Sequence, residues 1–190
     1  MSFCLILLAA GKSSRFNSNL AKPYHKIAGK TLIEMSLNKS AFFSQIKKTV
    51  IVYNIKDKKN LKKLKLKNIK FIKGGKTRQQ STFNALKYLI KQKKISKVLI
   101  HDAARPNFTI KLLKNLINSL KKNKASIPVI SSKDSIKYKV KNQLFNLDRK
   151  NSYLTQTPQA FKFKDIYDLS VNQKNIIQDE ATLFLSLIHI

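Results

Sequence analysis

Only four arginines, Arg15, Arg78, Arg105 and Arg149, stand among 35 lysines in this 190-residue chain. A guanidinium is a planar fork that grips a carboxylate or phosphate through two bonds, which a lysine ammonium cannot copy. Where lysine fills almost every basic position, the remaining arginines mark places that need the fork. Glycine is as scarce: Gly11, Gly29, Gly74 and Gly75 are the whole complement. The scarce residues concentrate in short segments around 11–15, 74–78 and 101–106. In the first, Ala9, Ala10 and Gly11 let the backbone approach a ligand closely, while Arg15 and, across a polar loop, Lys22 bring positive charge to phosphates. In the second, a glycine pair leads through Thr77 and Arg78 to Ser81. In the third, Asp102 stands beside two alanines, a setting that suits a Mg²⁺ ligand in a phosphoryl-transfer site. Gly11-Lys12-Ser13 looks like the end of a P-loop, but that motif needs glycine where this chain has Ile6.

Three phosphate-suited segments in one chain need strand ends to hold them. Apolar runs at 3–8, 49–53, 69–72, 98–101 and 126–130 read as strands. Thr31 with Glu34, and Thr77 with Gln80, have capping-box spacing, and Ile110, Leu113, Leu116, Ile117 and Leu120 trace one apolar helix face. Strands alternating with helices imply a mostly parallel sheet covered on both faces, which binds ligands beyond the carboxyl ends of its strands.

The length suits one domain, and the single cysteine, Cys4, excludes an internal disulfide and a cysteine-based zinc site. The longest apolar run, residues 3–10, falls far short of the roughly 20 residues of a membrane span. It also lacks the basic flank of a secretory signal, so the expectation is a cytoplasmic protein with no membrane partner. A net charge of +30 invites a nucleic-acid-binding alternative. However, the excess of lysine, 16 asparagines and abundant isoleucine is the signature of AT-rich coding, and lysine runs at 56–67, 91–97 and 121–124 read as solvated faces. No recognition motif or aromatic stacking platform accompanies the charge, so no nucleic-acid partner is expected.

LLAAGKSSRF, Lys22, GGKTRQQS, HDAARP, Asp134-Ser135, Asp148-Arg149 and Thr157-Pro158-Gln159 follow one another in an order and spacing that resembles the 2-C-methyl-D-erythritol 4-phosphate cytidylyltransferases. Ribitol-phosphate cytidylyltransferases share most of the pattern. The resemblance runs from Phe3 to about Phe184. It implies a Rossmann-like nucleotidyltransferase α/β fold with a protruding β-arm at about 133–150, and transfer of CMP from CTP to methylerythritol phosphate with release of pyrophosphate. It also implies Mg²⁺ or another divalent cation at Asp102, with Arg15 and Lys22 as the catalytic cations. Ala9, Ala10, Gly11, Gly74, Gly75, Arg78, Ser81 and Asp102 would form the nucleotide site. Arg105, Ser135, Arg149 and Thr157 would serve the acceptor. The arm would exchange in a homodimer, carrying Arg149 to the neighbour's acceptor phosphate.

The chain departs from that family at several places. Ala21-Lys22-Pro23 stands for Pro-Lys-Gln, Gln178-Asp179-Glu180-Ala181 for Thr-Asp-(Asp/Glu)-Ala, and Lys76 for a residue that is sometimes acidic. The hexapeptide from Leu185 to Ile190 can be written CTG TCT CTT ATA CAC ATC, which matches a common transposon-based sequencing adapter. The expectation is therefore a family domain at 1–184, incomplete at its C-terminus, with a non-native tail at 185–190.

Overall fold

The computed structural model describes residues 2–11, 13, 18–64, 69–92 and 94–185. In chain order the strands are β1 (Phe3–Ala9), β2 (Lys26–Ile27), β3 (Lys30–Thr31), β4 (Ile46–Tyr53), β5 (Ile69–Lys73) and β6 (Lys97–Asp102). They continue as β7 (Ala125–Ser126), β8 (Val129–Ser131), β9 (Ile136–Val140), β10 (Gln143–Leu147), β11 (Tyr153–Thr155) and β12 (Gln159–Lys162). The helices are α1 (Leu32–Ala41), α2 (Lys58–Lys63), α3 (Arg78–Leu89), α4 (Ile110–Ser119), α5 (Phe163–Asn172) and α6 (Thr182–Leu185).

The main sheet has the order β5-β4-β1-β6-β12-β7, so the almost wholly apolar β1 lies at its centre. β4, β5 and β6 run parallel to the first strand, whereas β12 is antiparallel to both β6 and β7. Alternate residues of a strand face opposite sides. Phe3, Leu5 and Leu7 of β1 therefore pack with Ile33 and Leu37 of α1 and Leu113, Leu116 and Ile117 of α4. Cys4 and Ile6 pack on the other face with Ala85, Leu86 and Leu89 of α3, Ile166 of α5, and Leu183 and Phe184 of α6. Both faces of the sheet are covered by helices, as the alternating pattern predicts. Burial pushes the Cys4 thiol up to about 12, against a smaller opposing effect of Lys48, so it behaves as a small apolar side chain.

The Thr31 capping box is complete: the threonine hydroxyl accepts from Glu34 N–H while Glu34 accepts from Thr31 N–H. At Thr77 only half the expected box forms. Its hydroxyl accepts from Gln80 N–H, but Gln80 Oε1 takes the N–H of Lys76, not of Thr77. The expected strand at 126–130 is two strands. Pro128 between them has no N–H to donate, so β7 ends in the main sheet and β8 leaves to pair with β11. The helix read at 110–120 is α4, with Leu120 as its buried C-cap. β12 escapes a sequence reading because its four residues carry no alternation.

The expected arm is the antiparallel pair β9 and β10, turning at Lys141 and Asn142, with Gln143 already in the returning strand. Lys141 adopts φ 52°, a left-handed conformation. Of the expected tail, Leu185 closes α6, and residues 186–190 lie outside the described residues. No described helix is long and apolar enough to cross a membrane.

Candidate active site

Because β1, β4, β5 and β6 are parallel, the loops after them gather at one edge of the sheet. They enclose a cleft of about 1080 Å³. Its lining includes Ala10, Gly11, Ser13 and Lys22 after β1, and Asn54 after β4. Gly75, Lys76, Thr77, Arg78 and Ser81 follow β5, and Asp102, Ala104 and Arg105 follow β6. Thr155, Thr157, Gln159, Gln178 and Asp179 form the far wall.

The loop after β5 is held from beneath. Gly74 N–H donates to Tyr53 C=O at 2.9 Å. The Ser81 hydroxyl accepts from Gly75 N–H at 3.0 Å and donates to Thr77 C=O at 2.9 Å. That hydroxyl therefore shapes the loop as well as lining the cleft. A Cβ on Gly74 would stand 2.4 Å from the Ala10 Cβ and 3.3 Å from Tyr53 O, so glycine is required by close approach. At Gly75 the added atom would stand 2.3 Å from Gln80 Cγ and 2.6 Å from Gln80 Cβ, and because that Cβ is fixed to the backbone of α3, the loop or the start of the helix would have to shift. Gly74→Ala and Gly75→Ala should accordingly each cost about 1–3 kcal/mol through overpacking. Urea denaturation of the two variants checks this, and no loss at either position would contradict it.

Lys22 opens a 3-10 turn at Lys22–Tyr24, anchored by buried Pro23 and Tyr24, and its N–H donates to Ser13 Oγ at 3.0 Å. Ser13 is left-handed, with φ 52°. Thus two loop residues nine positions apart are clasped together at the mouth of the cleft.

A row of alternating charges crosses the floor. Buried Glu180, 2% exposed, pairs with Arg78 Nη1. Arg78 Nε stands 3.6 Å from Asp102 Oδ1, and Arg105 Nε stands 3.2 Å from Asp102 Oδ2. Arg105 also donates to Gln156 Oε1 at 3.1 Å. Burial opposes the charge on Arg78, but Glu180 and Asp102 outweigh it and hold the guanidinium above its ordinary pKa. Beneath this row, the Thr157 hydroxyl lies 2.9 Å from His101 Nδ1 and 3.4 Å from the Asp102 N–H. Burial pushes the imidazole of His101 down to about 4, and the ring lies edge-on to Phe108. His101 is thus a neutral prop beneath Asp102.

Nine sequence-predicted residues meet in the cleft: Ala10, Gly11, Lys22, Gly75, Arg78, Ser81, Asp102, Arg105 and Thr157. Ala9, buried, ends β1, and Gly74 lies against Ala10. Arg15, Lys12 and Ser14 lie outside the described residues. Ser135 and Arg149 are exposed on the arm side and do not line the cleft, and Arg149 Nη1 donates to Lys133 C=O at 3.4 Å. Sequence reading missed Asn54, which donates to Ala10 C=O at 3.5 Å, and the wall residues Thr155 and Gln159, whose side chains donate to Asp179 Oδ2 at 2.9 and 3.4 Å. It also missed the pairing of Glu180 with Arg78. The available signals were the adjacent acids 179–180 in a chain with nine acids in all and their place in the segment that stands for Thr-Asp-(Asp/Glu)-Ala.

The sequence model of the family IspD, 2-C-methyl-D-erythritol 4-phosphate cytidylyltransferase, matches residues 3–186. The chain belongs to this family. It is 49% identical over 185 residues to the bifunctional enzyme IspD/IspF of Pelagibacter ubique (strain HTCC1062), covering 97% of this chain and 50% of that protein. It is 33% identical to the 2-C-methyl-D-erythritol 4-phosphate cytidylyltransferase of Clostridium botulinum (strain 657 / Type Ba4), covering 94% and 82%. The solved 4-diphosphocytidyl-2C-methyl-D-erythritol synthase of Anaerococcus prevotii superposes with a TM-score of 0.80 at 32% identity, over 98% of this chain and 82% of that one. The bifunctional IspDF of Campylobacter jejuni superposes at 0.83 with 29% identity, over 98% and 47%. The chain thus spans about half the length of the bifunctional relatives and about four-fifths of the monofunctional ones. The matched family is that of the nucleotide-transferring enzymes whose motifs the cleft assembles, and its members are cytidylyltransferases of the non-mevalonate isoprenoid route.

Proposed function

We propose that this chain transfers CMP from CTP to 2-C-methyl-D-erythritol 4-phosphate. A phosphate oxygen of the acceptor attacks the α-phosphorus in line. The new P–O bond forms as the bond from the α-phosphorus to the bridging oxygen breaks, and pyrophosphate leaves with that electron pair. Such a step needs positioned positive charge more than it needs a base. The observation that carries the reading is the family's basic and glycine-rich segments converging on one cleft that holds Lys22, Arg78 and Arg105 beside Asp102.

The ammonium of Lys22 holds the triphosphate, and Arg15 stands with it in the catalytic role. Arg78 and Ser81 keep the Gly74-Gly75 loop in shape for the cytosine edge. Arg105 and Thr157 line the acceptor side. Mg²⁺ fits the donor set, because it is commonly held by one or two carboxylates together with substrate phosphates, and the half-exposed Asp102 carboxylate supplies one at the cleft. When bound, the ion offsets charge on the phosphate oxygens.

The arm supports a homodimer. Tyr138, Val140, Phe145 and Leu147 share one face of β9 and β10, are all 40% exposed or more, and the Tyr138 and Phe145 rings stack at 5.5 Å. A lone two-stranded hairpin is marginal in water, and a second subunit would cover that face. Arg149 and Ser135, standing apart from their own cleft, would then serve the neighbour's acceptor.

Pyrophosphate release from CTP and Mg²⁺ tests the reading. Methylerythritol phosphate is expected to drive it, and ribitol 5-phosphate to drive it far less. Faster release with ribitol phosphate would reassign the acceptor. Salt-sensitive affinity for DNA or RNA together with indifference to CTP would favour the nucleic-acid alternative instead.

A further inference from the structure

Arg78 pairs with two carboxylates through different nitrogens, Glu180 through Nη1 and Asp102 through Nε. Glu180 is buried, while Asp102 opens to the cleft with 30% of its side chain exposed. One of them, Glu180, directs a single oxygen, Oε2, to Arg78, and its other oxygen, Oε1, is buried with no hydrogen-bond partner among the described residues. Buried charge is costly unless compensated, so Glu180 draws the guanidinium toward itself. The Arg78 contact to Asp102 is correspondingly the longer one, 3.6 Å, outside ordinary hydrogen-bond length.

We propose that Glu180 is a positioning residue that, by holding Arg78 back, keeps the Asp102 carboxylate open to the divalent cation that accompanies the nucleotide. This inference rests on the cytidylyltransferase reading and names a residue that sets its metal dependence. Were the charge on Glu180 absent, Arg78 would close onto Asp102. The carboxylate would be neutralised from both flanks, since Arg105 already stands at 3.2 Å. The cleft would also gain one net positive charge.

Those two consequences have opposite signs for the two forms of the ligand. Metal-free CTP, a concentrated anion, should bind Glu180→Gln more tightly than wild type. CTP with Mn²⁺, which needs Asp102, should bind it more weakly. The ratio of the two dissociation constants should shift by about tenfold, the scale of one unit-charge interaction across the site.

Isothermal titration with CTP in EDTA and with CTP plus Mn²⁺ reads both constants without turnover. Glu180→Asp, which keeps the charge, should retain the wild-type ratio. The double variant Arg78→Gln with Glu180→Gln removes the shared cation without leaving a buried charge, and should move the ratio the other way. A Glu180→Gln protein that loses affinity for both forms in equal proportion, or a double variant that shifts in the same direction as the single one, would overturn the proposal. A wild-type protein that binds neither form would overturn the cytidylyltransferase reading and the proposal with it.

Discussion

Lys22→Ala is expected to lower the turnover of CTP by about a hundredfold or more, the usual loss when one positioned charge or donor is taken from a transition state. Lys22 lines the cleft, and in the proposed reaction negative charge would build there on the α-phosphate and the departing pyrophosphate. The fold does not depend on it. Its turn is anchored by buried Pro23 and Tyr24 and by the backbone bond from Lys22 N–H to Ser13, all of which survive truncation of the side chain. The melting temperature should therefore stay near wild type while turnover collapses. Arg15→Lys, which keeps a charge and loses the fork, belongs to the same class. Pyrophosphate release at nearly the wild-type rate from Lys22→Ala would show that the reacting phosphates lie elsewhere.

The second large effect is on stability. Glu180 is 2% exposed in the intact protein, and Arg78→Ala removes the cation that compensates its charge. Breaking a buried pair from one side costs about 3–5 kcal/mol, and the lower end applies here because Arg78 is itself 27% exposed. Adding Glu180→Gln to Arg78→Ala should recover much of that loss, since the neutral amide no longer demands a cation. Guanidinium denaturation of the single and double variants measures both. If Arg78→Ala alone costs no more than about 1 kcal/mol, the range of an exposed pair, the buried pairing does not hold the 178–181 segment in place.

The parts of the fold that were legible in the sequence are those with local causes. β1 announces itself because a strand buried on both faces must be apolar at every position, and residues 3–8 are. The first helix starts where Thr31 and Glu34 can satisfy each other's backbone within four residues. The cleft loops stand out because, in a chain that has turned nearly every basic residue into lysine, Arg78 and Arg105 survive where a guanidinium meets a carboxylate. Other parts were not legible. A four-residue strand such as β12 has too few residues to show a period, and its place beside β6 is chosen by the sheet. The break at Pro128 was present in the sequence, but which ladder each half would join depends on β11 and β12, roughly thirty residues away.

By itself, then, the sequence determined the family, the parallel core, the glycine and arginine segments at strand ends, and the single cysteine. These follow from residue types acting on neighbours within a turn or a strand. Only the tertiary structure decided that Arg78 is shared between Glu180 and Asp102, partners 102 and 24 positions away. It also decided that Thr157 props the backbone of Asp102, and that Ser135 and Arg149 stand apart from the cleft of their own chain. The reason is physical: a charge chooses among distant partners according to which of them is stripped of water, and that burial exists only once the sheet and its two helical layers have closed.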